Sequence, residues 1–351
     1  MTEIAVLDAV WYISTLIFEV PTGAVTDRYG KKISLLISAL SQSASFFVLA
    51  FGKSFLLISV SYILWGFASA FETGTYSAFL YDSLKLLDRE ADYRKVIGRV
   101  TTLAILASAL GSVSAGFLAG ISLALPIIIT ASIALLLCPL ILFFTEPEIL
   151  DEEKEPSYLL HIKESVIFIF DHRLVALLLL YMTIIGTAVW ALHIFYQPLL
   201  KFFEIPVENI GILYLFFRLS SAAGAHFSDP LAKVTGKATI YLIPSLFIGS
   251  VLCMGFFATP WVISFIFAIF FLSGFYSPIL NDLLNRNLPS SKRATIISVG
   301  SILSCLTLSI VNPILGRIAD VYSLQTTFQV LGVGTLISMF FVLTFLKREE
   351  I

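Results

Sequence analysis

Residues 19–32 read EVPTGAVTDRYGKK, and they close a long apolar run that already contains Asp8. An acid, a proline and a glycine end that run, and Arg28, Lys31 and Lys32 follow at once. About 20 apolar residues suffice to cross a bilayer. Asp8 and Glu19 are therefore expected within a span, and the basic knot at one of its ends.

The rest of the chain follows the same pattern. Its 351 residues are 58% hydrophobic and 13% charged, with a mean hydropathy of +0.94. Soluble domains carry roughly 25% charged residues, so this is a polytopic, all-α membrane protein. Apolar blocks fall near 5–26, 33–51, 55–80, 97–119, 121–144, 174–197, 208–231, 239–258, 261–284, 295–318 and 324–346, eleven in all. A net charge of −2 gives no reason to expect a nucleic-acid partner. The N-terminus lacks the basic region of a signal peptide, and its first apolar block is full length. Cys138, Cys253 and Cys305 sit in separate blocks without C-x-x-C spacing, and His161, His172, His193 and His226 are scattered. Neither a metal site, a cofactor nor an enzyme's nucleophilic cluster is expected, and there is no ATP-binding loop.

Basic residues set membrane orientation by collecting on the cytoplasmic side. With the 27–32 loop inside, eighteen of the 22 Lys and Arg fall inside. Only Lys53, Lys201 and Arg317 lie outside, and Arg218 is left within a span. The chain also repeats itself. FASAFETGTYSAFLYDSL (67–84) matches FAIFFLSGFYSPILNDLL (267–284) at nine of eighteen positions, 200 residues apart. Two parallel halves are one known transporter arrangement. At the same offset the block at 174–197 calls for a partner before Met1. The expected plan is thus two pseudo-symmetric six-helix halves with the first helix missing. A late start or a genuine eleven-span chain both satisfy it, with the C-terminus cytoplasmic. The expected domains are an N-terminal half over 1–149, a linker over 150–173 and a C-terminal half over 174–351. Tyr158–Phe170 of the linker has an amphipathic pattern suited to lying along the inner membrane surface.

GAVTDRYGKK (Gly23–Lys32) resembles the G-x-x-x-D-R-x-G-[RK]-[RK] loop signature of the major facilitator superfamily, and every specified position matches. The EVPTG and ETG…AFLYDSL runs are similar to bacterial drug-efflux-type members. The corresponding second-half loop, SDPLAKVTGKA (228–238), keeps a degraded form, and SALGSVSAGFLAG (108–120) lacks the proline of the antiporter signature. The resemblance implies a secondary carrier in the cell (inner or plasma) membrane, a monomer surrounded by lipid. It also implies that Gly23, Asp27, Arg28, Gly30, Lys31, Lys32 and Asp82 form a cytoplasmic gate. In that gate Gly23 admits a close neighbour, Asp27 meets the helix N-terminus near Arg293, and Arg28 pairs with Asp82.

Within the spans, Asp8, Tyr12, Thr15, Glu19, Thr22 and Thr26 recur at steps of three and four and make one polar stripe. A charge facing lipid costs at least ~2.5 kcal/mol, so the stripe is expected to line a wet cavity, with Asp8 near the outer interface. Glu72 lies ten residues before Asp82, about 15 Å further in. Leu272 occupies its place in the other half, so the scaffold does not require it. Glu72 and Glu19 are the proton-coupling candidates, since a carboxyl group in low dielectric can take up and release a proton. Gly211, Tyr214, Arg218, Ser221, Ala225 and Asp229 make a second inward stripe. There Arg218 is expected to pair with Glu19 or Glu72 or to meet an anionic substrate. Trp190 and His193 share a face with Gly186 and Gln197, with His193 near the outer end, and Phe71 and Tyr76 could stack on a ligand. Asn312-Pro313 is expected to kink its helix. The reading is a carrier of a small molecule, exporting an amphipathic or drug-like compound in exchange for protons. An uptake symporter for a polar metabolite and a non-transporting sensor are the alternatives.

Overall fold

A computed structural model describes residues 1–147, 166–289 and 293–349, and those residues are helical almost throughout. Among the described residues the α-helices include α1 Thr2–Tyr29, α2 Lys31–Phe51, α3 Phe55–Glu72, α4 Thr75–Lys85, α5 Tyr93–Ile121, α6 Ala124–Leu142, α7 Arg173–Phe202, α8 Val207–His226, α9 Ser228–Thr235, α10 Thr239–Phe256, α11 Ile263–Arg286, α12 Arg293–Val321 and α13 Leu324–Leu346. Among the described residues, ten segments are long and apolar enough to cross a membrane, with α3–α4 counted as one and α9–α10 as another. Helix α8 is not among the ten. Its 20 residues carry Glu208, Arg218 and His226, and these polar groups lower its hydropathy below that of its neighbours. The amphipathic stretch expected over 158–170 lies largely outside the described residues.

The helices separate into two units. One takes in the described residues of Met1–Ala5, Glu155–Pro206 and Leu213–Ile351; the other takes in those of Val6–Lys154 and Val207–Ile212. The second unit is knit by hydroxyls. On α2, Ser38 donates to the Ala68 carbonyl at 2.9 Å, Ser45 to that of Ser61 at 2.7 Å and Ser43 to that of Ala131 at 2.8 Å. Lipid tails are as apolar as leucine, so small side chains and interhelical hydrogen bonds hold such helices together. The first unit has α7 at its centre. Leu178, Tyr181, Ile185, Leu192, Phe195, Leu199 and Leu200 of that helix are fully buried. The Tyr181 hydroxyl donates to the Ile240 carbonyl at 2.9 Å, which ties α7 to α10.

The repeated segments diverge in conformation. Residues 267–284 lie inside the unbroken α11, whereas 67–84 are cut into α3 and α4 by Thr73 and Gly74. Gly74 has φ +75° and open space around it. That left-handed conformation is one that glycine adopts without penalty. Gly274, its repeat partner, has a different task. A Cβ there would fall 1.8 Å from the Ser221 carbonyl oxygen, so α11 and α8 touch backbone to backbone.

The second-half counterpart of the opening loop is also more ordered than its sequence suggests. Residues 228–235 form α9, and Asp229 pairs with Lys233 at 2.6 Å on its exposed side. Asp229 therefore does not continue the α8 stripe inward as expected.

Candidate functional site

The turn between α1 and α2 is built around Gly30. Its φ of +91° reverses the chain, and a Cβ would lie 2.8–3.0 Å from the Glu146 carboxylate group. That carboxylate accepts the Lys31 amide at 2.7 Å through Oε1 and the Lys32 amide at 2.6 Å through Oε2. The first amides of a helix lack intrahelical partners and carry the positive end of its dipole. Glu146, from the turn after α6, fills that role for α2 by charge-assisted bonds.

The side chains complete the knot. Lys31 forms an ion pair with Asp82 of α4, and the Lys32 ammonium donates to the Leu142 carbonyl at 2.7 Å. Asp82 is buried, and the pair is largely shielded from solvent. Three helices, α2, α4 and α6, are thus tied at one end by two lysines and two acids.

This corrects two expectations. Asp82 pairs with Lys31 and not with Arg28. Arg28 belongs to the last turn of α1 and lies over the Tyr29 ring at 5.3 Å. The reversal at Gly30 carries Lys31 onto α2, beside α4, and leaves Arg28 behind. Gly23, expected to admit a close neighbour, has nothing within 4 Å of where a Cβ would stand. Asp27 is exposed at the end of α1. Glu146 was not identifiable as a partner, although an acid directly after the α6 apolar run and opposite a basic loop was the available signal. The turn carries a direct test. Gly30→Ala should destabilise the folded protein by about 1–3 kcal/mol from backbone strain alone, with the Glu146 contact adding to it. An unchanged thermal midpoint in detergent would contradict this geometry.

The α1 stripe also faces differently than expected. Tyr12 and Thr22 are buried, and Thr22 donates toward the carbonyls of Ala70 and Glu19 at 3.2 and 3.1 Å. Thr26 and Ser34 share a hydrogen bond of 2.8 Å, and the Trp11 indole donates to Ser69 at 3.3 Å. Thr15, half-buried, donates to the Trp11 carbonyl at 2.9 Å. Thr22 finds a carbonyl on α3 and Thr26 a hydroxyl on α2, so this part of the stripe packs inward, and the buried Tyr12 does not line a wet cavity. Asp8 is half-buried and lies within electrostatic reach of Tyr62. Ile13, Ile17 and Val20 take the exposed side.

Glu19 stands apart. It is half-buried, and among the described residues its carboxylate makes no hydrogen bond or ion pair. Glu72 is exposed and is the last residue of α3, at the edge of the break. Tyr76, just beyond the break, is exposed, whereas Phe71 is 3% exposed and packs edge-on against Phe67 at 5.1 Å. Phe71 is core, and its expected stacking on a ligand is corrected.

In the first unit, Trp190, His193, Tyr214 and Arg218 gather beside α11. Trp190 is 53% exposed and its ring lies 5.0 Å from that of His193. His193 is half-buried, its Nδ1 is 3.0 Å from the Val189 carbonyl, and its ring lies 5.1 Å from that of Phe270. Tyr214 stacks on Tyr196 at 6.1 Å, and Gln197 donates to the Tyr196 hydroxyl at 3.0 Å. Arg218 is exposed, and among the described residues of its unit it makes no ion pair.

A profile of the Major Facilitator Superfamily matches residues 1–312. The chain is 25% identical over 350 residues to an uncharacterized MFS-type transporter, YxaM, of Bacillus subtilis (strain 168), covering 95% of this chain and 85% of that one. It is 24% identical over 340 residues to the class H tetracycline resistance protein of Pasteurella multocida, covering 93% and 81%. The crystal structure of the nucleoside transporter NupG superposes with a TM-score of 0.76 at 14% identity, covering 98% of this chain and 90% of that one, which speaks to fold alone. With the profile spanning most of its length, the chain belongs to the Major Facilitator Superfamily.

Proposed function

We propose that this transporter exports a small amphipathic molecule by alternating access, driven by protons moving the other way. The observation that carries the coupling is the break at Thr73-Gly74, with the exposed Glu72 at its edge. Discontinuous membrane helices are where carriers of this kind place substrate and ion sites. Glu19, a carboxylate within a span and without a partner among the described residues, is the second coupling group, since an ionisable residue within a span is the default candidate for a functional site. The likeness to a tetracycline resistance protein favours export of a drug-like compound. We assign Asp27 and the Gly30–Lys32 turn to the inner gate, with the C-terminus cytoplasmic. The carrier acts as a monomer in the cell membrane.

Purified protein in liposomes carrying an internal pH dye tests this reading. Addition of tetracycline as probe should move protons opposite to the drug, and a protonophore should abolish drug accumulation. Drug exchange that proceeds with no proton movement would overturn the coupling.

A further inference from the structure

One group in the first unit has no role in the coupling just described. Arg218 stands about 17 Å along α8 from Val207, and Trp190 about 18 Å before the end of α7 at Phe202, by helical rise. Residues 203–206 join the two helices, so both side chains lie at the same depth from that turn. The guanidinium is within electrostatic reach of His193. From Trp190 a chain of ring contacts runs to His193 at 5.0 Å, on to Phe270 at 5.1 Å, and on to Tyr214 at 6.3 Å. Tyr214 and Arg218 are one turn apart on α8, so the cation ends the row of rings.

Each end of this row is exposed, and neither end is explained by packing. A guanidinium at mid-span is expensive in lipid and is found facing water or a counter-ion. Among the described residues of its unit Arg218 has no carboxylate partner. An indole at 53% exposure offers a large flat face. Indole and tyrosine rings stack on flat ligands with offset or edge-on geometry. A guanidinium presents a rigid donor fork matched to carboxylate or sulfonate oxygens.

We infer that this wall of α7, α8 and α11 binds planar aromatic anions, with the ring on Trp190 and His193 and the anionic group on Arg218. The inference rests on the transport reading above for its biological meaning, but it specifies the substrate class, which that reading leaves open. It also sets the selectivity: a neutral or cationic analogue of the same shape keeps the stacking and loses the fork.

Equilibrium binding to the full chain in detergent tests it without any proton gradient. Salicylate, its neutral amide and benzamidine serve as the anionic, neutral and cationic probes. Wild-type protein should bind salicylate at least tenfold more tightly than either other compound. Arg218→Gln should erase that preference while leaving the amide's affinity unchanged, and Arg218→Lys should restore part of it. Trp190→Leu should weaken salicylate and the amide together. Equal affinities of the wild type for salicylate and the amide would overturn the inference whether or not the variants fold. So would an undiminished preference in folded Arg218→Gln. Because no proton movement is measured, loss of coupling in liposomes with the preference intact would remove the export reading and leave the wall standing.

Discussion

Glu72→Gln should abolish drug accumulation driven by a pH gradient while leaving drug exchange across the membrane intact. The amide keeps the size and hydrogen-bonding reach of the acid but cannot release a proton, so only steps that need protonation and deprotonation fail. Gln also fits the end of α3 as well as Glu does, since both are good helix formers, and the exposed position has no packing to lose. The paired measurement is essential. Counterflow of labelled against unlabelled tetracycline needs substrate reorientation but no net proton transfer, so it should proceed at the wild-type rate. Gradient-driven uptake should fall to that of empty liposomes. Retained pH-driven accumulation would remove Glu72 from the mechanism and place the burden on Glu19, where the same substitution can be scored in the same way. Loss of both activities would mean that residue 72 holds the broken span together and carries no proton.

Asp82→Asn should have the second large effect, on stability as well as rate. Removing one partner of a buried ion pair costs 3–5 kcal/mol; the Lys31–Asp82 pair retains some solvent contact, so about 2–3 kcal/mol is expected here by the same principle. The charge on Lys31 would then lose the carboxylate it pairs with. The Lys31→Asp, Asp82→Lys double exchange should recover only part of the loss. Lys31 also begins α2, where its amide is held by Glu146, and an aspartate side chain there would crowd that carboxylate with like charge. Thermal unfolding in detergent gives the stability term, and transport at temperatures well below the midpoint gives the rate term. A variant as stable and as fast as the wild type would show that the ion pair is not part of the knot.

The sequence carried the architecture well because the bilayer imposes its lengths. Spans such as 239–258 and 324–346 were legible as apolar blocks, and the observed helices Thr239–Phe256 and Leu324–Leu346 lie close to them. The family was legible in ten residues, Gly23–Lys32. What escaped was set by contacts between residues far apart in the chain. Gly74 and Gly274 are the same residue at the same place in a repeat, yet one breaks a helix and the other lies in an unbroken one. The difference is a backbone contact to Ser221 that no local pattern announces. Glu146 reaches back 115 positions to the start of α2, and spacing along the chain could not reveal it. Lys31 and Arg28, three residues apart, looked interchangeable as partners for Asp82. Only the turn at Gly30 separates them. The hydroxyls of α1 were read as water-facing because polarity was visible, whereas their partners, the Ala70 carbonyl of α3 and the Ser34 hydroxyl of α2, were not.

The cut at Gly74 has a mechanical corollary. A continuous rod spreads flexure over its whole length, whereas two rods joined at a single achiral link concentrate it there. The lower piece has 11 residues and measures about 16 Å by helical rise, so a swing of about 10° moves its far end by about 3 Å. Asp82 rides near that far end. A small rotation at the pivot beside residue 72 therefore becomes a larger displacement at the salt link that fastens the lysine turn.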